Sequence, residues 1–206
     1  MKRAAIFEST LEDYLTQIGD VDLLSRAATL GATAREGALI LPLYGTPHRV
    51  SKEGVFDAHG RKANFTVSVV LFRYILQCPA TVPATGGWVT YREFRDAAPL
   101  TGYFTANTNM VIETTFAGKL AALEDACRRT GGRLLEEPSF ELAVAFDMLP
   151  RIPVYFRFND RDDEFPAQSS ILFRRSAEHY LDMECLAIGG TLLTGLLISE
   201  VKGESP

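Results

Sequence analysis

The chain has 206 residues, 47% of them apolar and 23% charged, with a net charge of −5. That composition is globular and not disordered, and a chain of this length buries a core without disulfides or a structural metal. No clustered block of Lys and Arg provides the footprint of a nucleic-acid or membrane-surface binder, so neither partner is expected.

In chain order, Phe7, Leu11, Tyr14 and Ile18 share one helical stripe that Gly19 closes. Asp20 is predicted to cap a second helix carrying Val21, Leu24, Ala27 and Ala28 and ending at Gly31, so residues 1–31 read as a helical hairpin. The opening MKRAAIFESTLED lacks a secretory apolar region. No stretch is read as reaching the ~20 apolar residues of a spanning helix, and a soluble, cytoplasmic protein is expected.

The period then changes to two. Leu39, Leu41 and Leu43 alternate with Ile40, Pro42 and Tyr44, and turns are predicted at Gly45-Thr46-Pro47, Glu53-Gly54 and Ala58-His59-Gly60. Residues 38–60 read as a small antiparallel β-meander, with Pro42 placing its strand at an edge. From Asn64 to Cys78 the polar residues Thr66, Arg73 and Gln77 form one narrow stripe, which predicts a buried helix capped by Asn64 and stopped by Pro79. Residues 79–105 are loop-rich, with strand composition at Trp88 to Tyr91.

Ile112, Phe116, Leu120, Leu123 and Cys127 predict one helix, weakened at Gly118 and ending at Gly131-Gly132. Strands follow, with Phe140, Leu142, Val144 and Phe146, then Val154, Phe156 and Phe158, alternating with smaller or polar residues. A third run is Ile171-Leu172-Phe173. Asp182 caps a last helix whose Gly189, Gly190 and Gly195 suit close approach to another backbone, and the final KGESP reads as a frayed tail. The main strands and this helix occupy residues 133–201. Together these elements predict a single α+β domain over residues 1–206, an antiparallel β-sheet packed against several helices.

The densest chemistry is the loop with Asp160, Asp162, Asp163 and Glu164. Crowded carboxylates bind hard cations or raise one member's pKa for acid catalysis. Phe165-Pro166 stands where a calcium loop needs other residues, and a solvated charged loop is the plain alternative. Of His48, His59 and His179, the last follows this loop most closely and is the candidate partner. Cys78, Cys127 and Cys185 are widely spaced with no CxxC, so free buried thiols are expected and no metal site is predicted. No nucleophile-elbow, Walker, HExxH or dinucleotide-binding motif occurs. Trp88, Tyr91, Phe94 and Tyr103 crowd one region, either lining a ligand pocket or covering the sheet.

Several elements carry a family likeness: Trp88 to Glu93 (WVTYRE), Gly131-Gly132, Leu149 to Pro153 (LPRIP), Asp163 to Ala167 (DEFPA), Ile171 to Phe173 and Tyr180-Leu181. In this order they resemble the domain of unknown function 3786 family of bacteria and archaea, many of them anaerobes. The resemblance implies a cytoplasmic α+β domain and no established activity. Some relatives resemble iron–sulfur proteins through an added cysteine cluster that this chain lacks, and relatives tend to be acidic where Arg174 stands here. Trp88, Tyr91, Arg92, Glu93, Arg151 and Arg174 are the candidate ligand-binding residues.

Three functions are therefore expected. The first is a non-enzymatic ligand-binding or accessory domain linked to anaerobic metalloenzyme or cofactor metabolism. The second is a metal-dependent or hydrolytic enzyme using the Asp160 to Glu164 carboxylates with His179, and the third is a structural protein-interaction module. The sequence names no cofactor and no oligomeric state; a small molecule or a protein is the expected partner.

Overall fold

The computed structural model describes residues 2–202, with side chains from 7 to 201; the tail residues after Lys202 lie outside it. Helix α1 (Lys2–Gly19) lies along α3 (Phe65–Leu76), the most apolar segment. Phe7 stacks on Phe65 at 4.4 Å and Tyr14 on Phe72 at 5.9 Å, and Ile18 is fully buried. As expected, Asn64 caps α3, its side chain accepting the Val67 N–H at 2.9 Å.

The second helix of the hairpin is much shorter than its apolar spacing suggests. Asp22, not Asp20, accepts the N–H groups of Leu24 and Ser25 at 3.1 and 3.3 Å. A 3₁₀ turn (Leu24–Arg26) leads into α2 (Ala27–Leu30), which ends at left-handed Gly31. Arg26 Nη1 donates to the Ile75 carbonyl at 2.6 Å, a cation at the C-terminal end of α3.

The meander is a four-stranded antiparallel sheet in the order β1 (Thr33–Arg35), β2 (Ala38–Leu43), β3 (Thr46–Ser51), β4 (Gly54–Phe56). Strand β1 was not foreseen, and it makes β2 internal, correcting the edge assignment. Pro42 is tolerated there because β1 pairs only as far as Ile40, and Pro42 itself faces Pro47. The β2–β3 turn falls on Tyr44 (φ +46°) and Gly45 (φ +78°), one residue earlier than expected. Two successive left-handed residues make the hairpin turn that matches strand twist. Tyr44 N–H then donates to Met148 O at 3.0 Å, and its hydroxyl to Gly189 O at 2.9 Å, tying this sheet to the rest of the fold.

The stretch expected to be loop-rich holds β5 (Trp88–Thr90), two 3₁₀ turns and α4 (Thr101–Asn107), whose Phe104 is buried. The single helix expected beyond it is two, α5 (Asn109–Phe116) and α6 (Leu120–Arg129). Gly118 divides them with φ +75°, a conformation only glycine adopts without strain.

The second sheet is antiparallel throughout, in the order β5, β9 (Gln168–Arg174), β8 (Ile152–Asn159), β7 (Leu142–Leu149), β6 (Arg133–Leu134). The three expected runs are its long strands, Pro150-Arg151 turns β7 into β8, and the acidic loop joins β8 to β9. On β8, Val154, Phe156 and Phe158 are fully buried while Tyr155 and Arg157 are half-buried on the other face. Leu39, Leu41 and Val50 of the small sheet share one hydrophobic core with Val144 and Phe156 of the large one.

Helix α7 (Met183–Lys202) closes the core, and Asp182 accepts the Cys185 N–H at 2.8 Å as its cap. A Cβ at Gly189 or Gly190 would overlap Met148 or Phe104, so these glycines make room for side chains and not for a backbone; Gly195 faces open space. Residues Met183–Val201 are also long and apolar enough to cross a membrane, which corrects the sequence reading. In this fold Leu186, Leu193 and Leu197 of that helix are fully buried within the core.

Candidate functional site

At the end of β5 the chain tightens into a 3₁₀ turn, Tyr91–Glu93. Glu93 Oε2 accepts the Thr90 N–H at 2.7 Å and its hydroxyl at 2.6 Å. These bonds hold the Glu93 carboxyl below the usual carboxylate range and fix the turn. Tyr91 is buried; its ring stacks on Phe104 at 4.3 Å and its hydroxyl donates to Met183 O at 2.7 Å. Burial pushes its pKa up to about 12.

This stacked pair floors a cleft of about 320 Å³ between β5, α4, α5 and β9. Its walls are Thr90, Arg92, Thr101, Thr105, Asn109, Ser170 and Ile171. Thr101 donates to Ala97 O. The Arg92 guanidinium, the Asn109 amide and the Thr105 and Ser170 hydroxyls donate to no other described residue, so the cleft presents free donors.

Tyr91 and Arg92 were visible as candidates in the sequence; Thr101, Thr105, Asn109 and Ser170 were missed. A signal existed, because Thr101, Thr105 and Asn109 recur every four residues, the spacing of one helical face. Reading that stretch as loop hid it.

The acidic loop is elsewhere. Asp162 Oδ1 accepts the N–H groups of Glu164 and Phe165 at 2.8 and 2.7 Å, which holds this carboxyl below its usual range. Asp160 Oδ1 accepts the Gly118 N–H, while Asp163 and Glu164 are exposed. The loop borders its own depression with Glu141, Asn159 and Gln168. His179 is exposed beyond the far end of β9, which places it about 20 Å away at strand rise. The structure therefore brings neither His179 nor the Trp88 region to these carboxylates. Among the described residues no group of three His, Cys, Asp or Glu side chains is arranged to hold a metal ion.

Arg151 serves as a brace: its guanidinium donates to Thr29 O and Ala28 O at 3.0 and 2.9 Å, at the end of α2. Cys127 and Cys185 are buried, and burial raises both thiols, Cys127 to about 12; Cys78 is half-buried and also raised.

Trp88 and Arg174 meet on the outer face of the large sheet. They are opposite in register, and the guanidinium lies 4.0 Å from the indole ring. Tyr155 is 5.5 Å from Trp88, and Arg157 lies 4.4 Å from Phe140 and 5.6 Å from Tyr155.

A larger depression, about 500 Å³, lies on the small sheet beside buried His48. Its charges are already paired: Arg35 with Glu36 at 3.3 Å, Arg49 with Glu53 at 3.0 Å, and Asp57 with Arg61 at 2.7 Å. The β5–α4–β9 cleft is the better binding candidate because its donors are not.

No curated protein and no solved structure matches the chain. The family model described as Domain of unknown function (DUF3786) matches residues 22–195, beginning after α1 and ending within α7, and the chain belongs to that family.

Proposed function

We propose that this domain binds a small carboxylate- or phosphate-bearing molecule in the β5–α4–β9 cleft, as a non-enzymatic binding or accessory domain. The observation that carries this reading is the set of free donors around one cleft, from Arg92, Asn109, Thr105 and Ser170. Arg with hydroxyl and amide donors is the usual receptor chemistry for carboxylate and phosphate. The volume lies within the ~300–1,000 Å³ range of small-molecule sites. The Tyr91–Phe104 pair offers an apolar floor for the ligand's carbon skeleton.

The lining contains no His, Cys or carboxylate side chain that could act as a base to activate its Ser and Thr hydroxyls, which favours binding over turnover. An accessory role in anaerobic metalloenzyme or cofactor metabolism is part of the proposal and rests on the family's occurrence among anaerobes, since the family resemblance itself implies no activity; the cytoplasmic location is the one expected from the sequence. The hydrolytic alternative needs His179 beside the Asp160 to Glu164 carboxylates, and β9 lies between them.

The test is a thermal-shift survey with inorganic phosphate, pyrophosphate and small di- and tricarboxylates. At least one is expected to raise Tm in a concentration-dependent way, by mass action on the folded state. That rise is expected to disappear in Arg92→Ala and to persist in Arg151→Gln. A survey with no shift, or a shift that Arg92→Ala leaves intact, overturns the reading.

A further inference from the structure

We propose that the outer face of the five-stranded sheet is a docking surface for an extended acidic segment of a partner protein, held by Arg157 and Arg174. The proposal rests on two guanidinium groups and the rings beside them, none of which lines the cleft.

Strand alternation creates the face. Val154, Phe156 and Phe158 point into the core, while Tyr155 and Arg157 point the other way and stay half-buried. The register of β9 on β8 puts Ser170 opposite Arg157 and Leu172 opposite Tyr155, so Ser170, Leu172 and Arg174 share this outer side. Trp88 joins it from β5, opposite Arg174.

Five side chains form one diagonal stripe. Arg174 lies over Trp88 at 4.0 Å, Trp88 meets Tyr155 at 5.5 Å, and Arg157 lies between Tyr155 at 5.6 Å and Phe140 at 4.4 Å. A guanidinium held over a ring is fixed in place, yet its terminal N–H groups remain donors for a carboxylate.

Both cations lack a carboxylate partner among the described residues. Arg174 donates only to Gly86 O, at 3.2 Å, and Arg157 Nε is buried with no acceptor. Their neighbour Arg133, by contrast, is paired with Asp147 at 2.7 Å. Glu137, an acid beside the stripe, accepts from the Tyr155 hydroxyl at 3.5 Å. Two unpaired guanidinium groups on one face of a chain with net charge −5 make a local positive site in an otherwise acidic protein.

Geometry selects the occupant. Arg174 lies four positions beyond Ser170, the residue opposite Arg157, so the two backbone positions are roughly 13 Å apart along the strand direction, and the Trp88 and Tyr155 rings stand between the two guanidinium groups. A small anion reaches only one of them. Two acidic residues four positions apart on an extended chain point to the same side and span the same distance. The partner is therefore an extended segment with Asp or Glu at positions i and i+4, laid over Tyr155 and Leu172.

Trp88 is the single tryptophan of the chain, so its emission reports this face directly. The experiment titrates the whole protein with the synthetic peptide acetyl-Gly-Asp-Thr-Val-Thr-Asp-Gly-amide, at low and at high salt. A control peptide of the same composition has the two Asp residues adjacent. Saturable change in Trp88 emission is expected with the first peptide, weakened by salt. The double substitution Arg157→Gln with Arg174→Gln is expected to weaken binding roughly tenfold or more, and the control peptide to bind similarly weakly.

Arg174→Lys, which keeps the charge, is expected to retain part of the affinity, so a loss through misfolding is separable from a loss of charge. Arg92→Gln is expected to leave peptide binding unchanged, which separates this face from the cleft. No saturable change at millimolar peptide overturns the proposal. So does equal affinity in the double variant, or equal affinity for the control peptide.

Discussion

Asp160 and Gly118 are bonded across the break between α5 and α6, the carboxylate Oδ1 accepting the glycine N–H at 2.6 Å. A Cβ added at Gly118 would lie 3.1 Å from Arg161 Nη2. The first carboxylate of the acidic loop is thus part of how the β8–β9 connection is pinned to the helices. Gly118→Ala is expected to destabilise the fold by about 1–2 kcal/mol, from the left-handed backbone and the crowding of Arg161. Urea unfolding measures it, and an unchanged midpoint contradicts this role of the kink.

The rest of that loop is expected to be inert. Asp163 and Glu164 are exposed and share no histidine, so Asp163→Asn with Glu164→Gln is expected to shift stability by less than about 0.5 kcal/mol. The same double variant is expected to leave ligand-induced Tm shifts untouched. A large loss of ligand response places function in the acidic loop after all.

The fully buried Ile18 fastens α1 to the domain, although α1 lies outside the segment matched by the family model. Ile18→Ala is expected to cost about 2–5 kcal/mol by leaving a cavity in the core. Equilibrium denaturation checks it. A negligible effect means that α1 is not an integral part of the cooperative unit.

His48 is only 7% exposed, with Nδ1 2.9 Å from Thr46 O, and burial lowers its pKa below 6.5. The unfolded chain therefore binds this proton more readily than the folded one, and stability is lost as pH falls through about 6.5 and below. His48→Gln is expected to flatten that part of the stability-versus-pH curve. Parallel curves for the two proteins over that window contradict the assignment.

Much of the architecture was legible because patterning and propensity agreed. Alternation along Leu142 to Phe146 and Val154 to Phe158 marked the buried face of the large sheet, while Phe140, expected on that face, precedes the strand and lies against Arg157 on the outer side. Asn64 and Asp182 announced their helices with capping side chains. The failures have two physical causes. Strand β1 is a local hairpin partner of β2, turned at left-handed Glu36 and Gly37, and its short polar run carries no apolar alternation to announce it. The others depend on contacts distant in sequence, as α4 does through Phe104 packing on Tyr91 and Phe173. The helix break at Gly118 exists through Asp160 and Arg161. The site was legible only at Tyr91 and Arg92, because the other walls come from α4, α5 and β9, which the tertiary fold alone brings together. The acidic loop drew attention by charge density, and charge density by itself marks a solvated connection.

The most direct test of the binding account is isothermal titration calorimetry on the wild-type protein and on Arg92→Ala with Asn109→Ala, using the anion that gives the largest thermal shift. Saturable binding to the wild type, weakened roughly tenfold or more in the double variant while its unfolding midpoint is kept, is the expected result. Equal affinity in the two proteins contradicts the claim that the β5–α4–β9 cleft is the binding site.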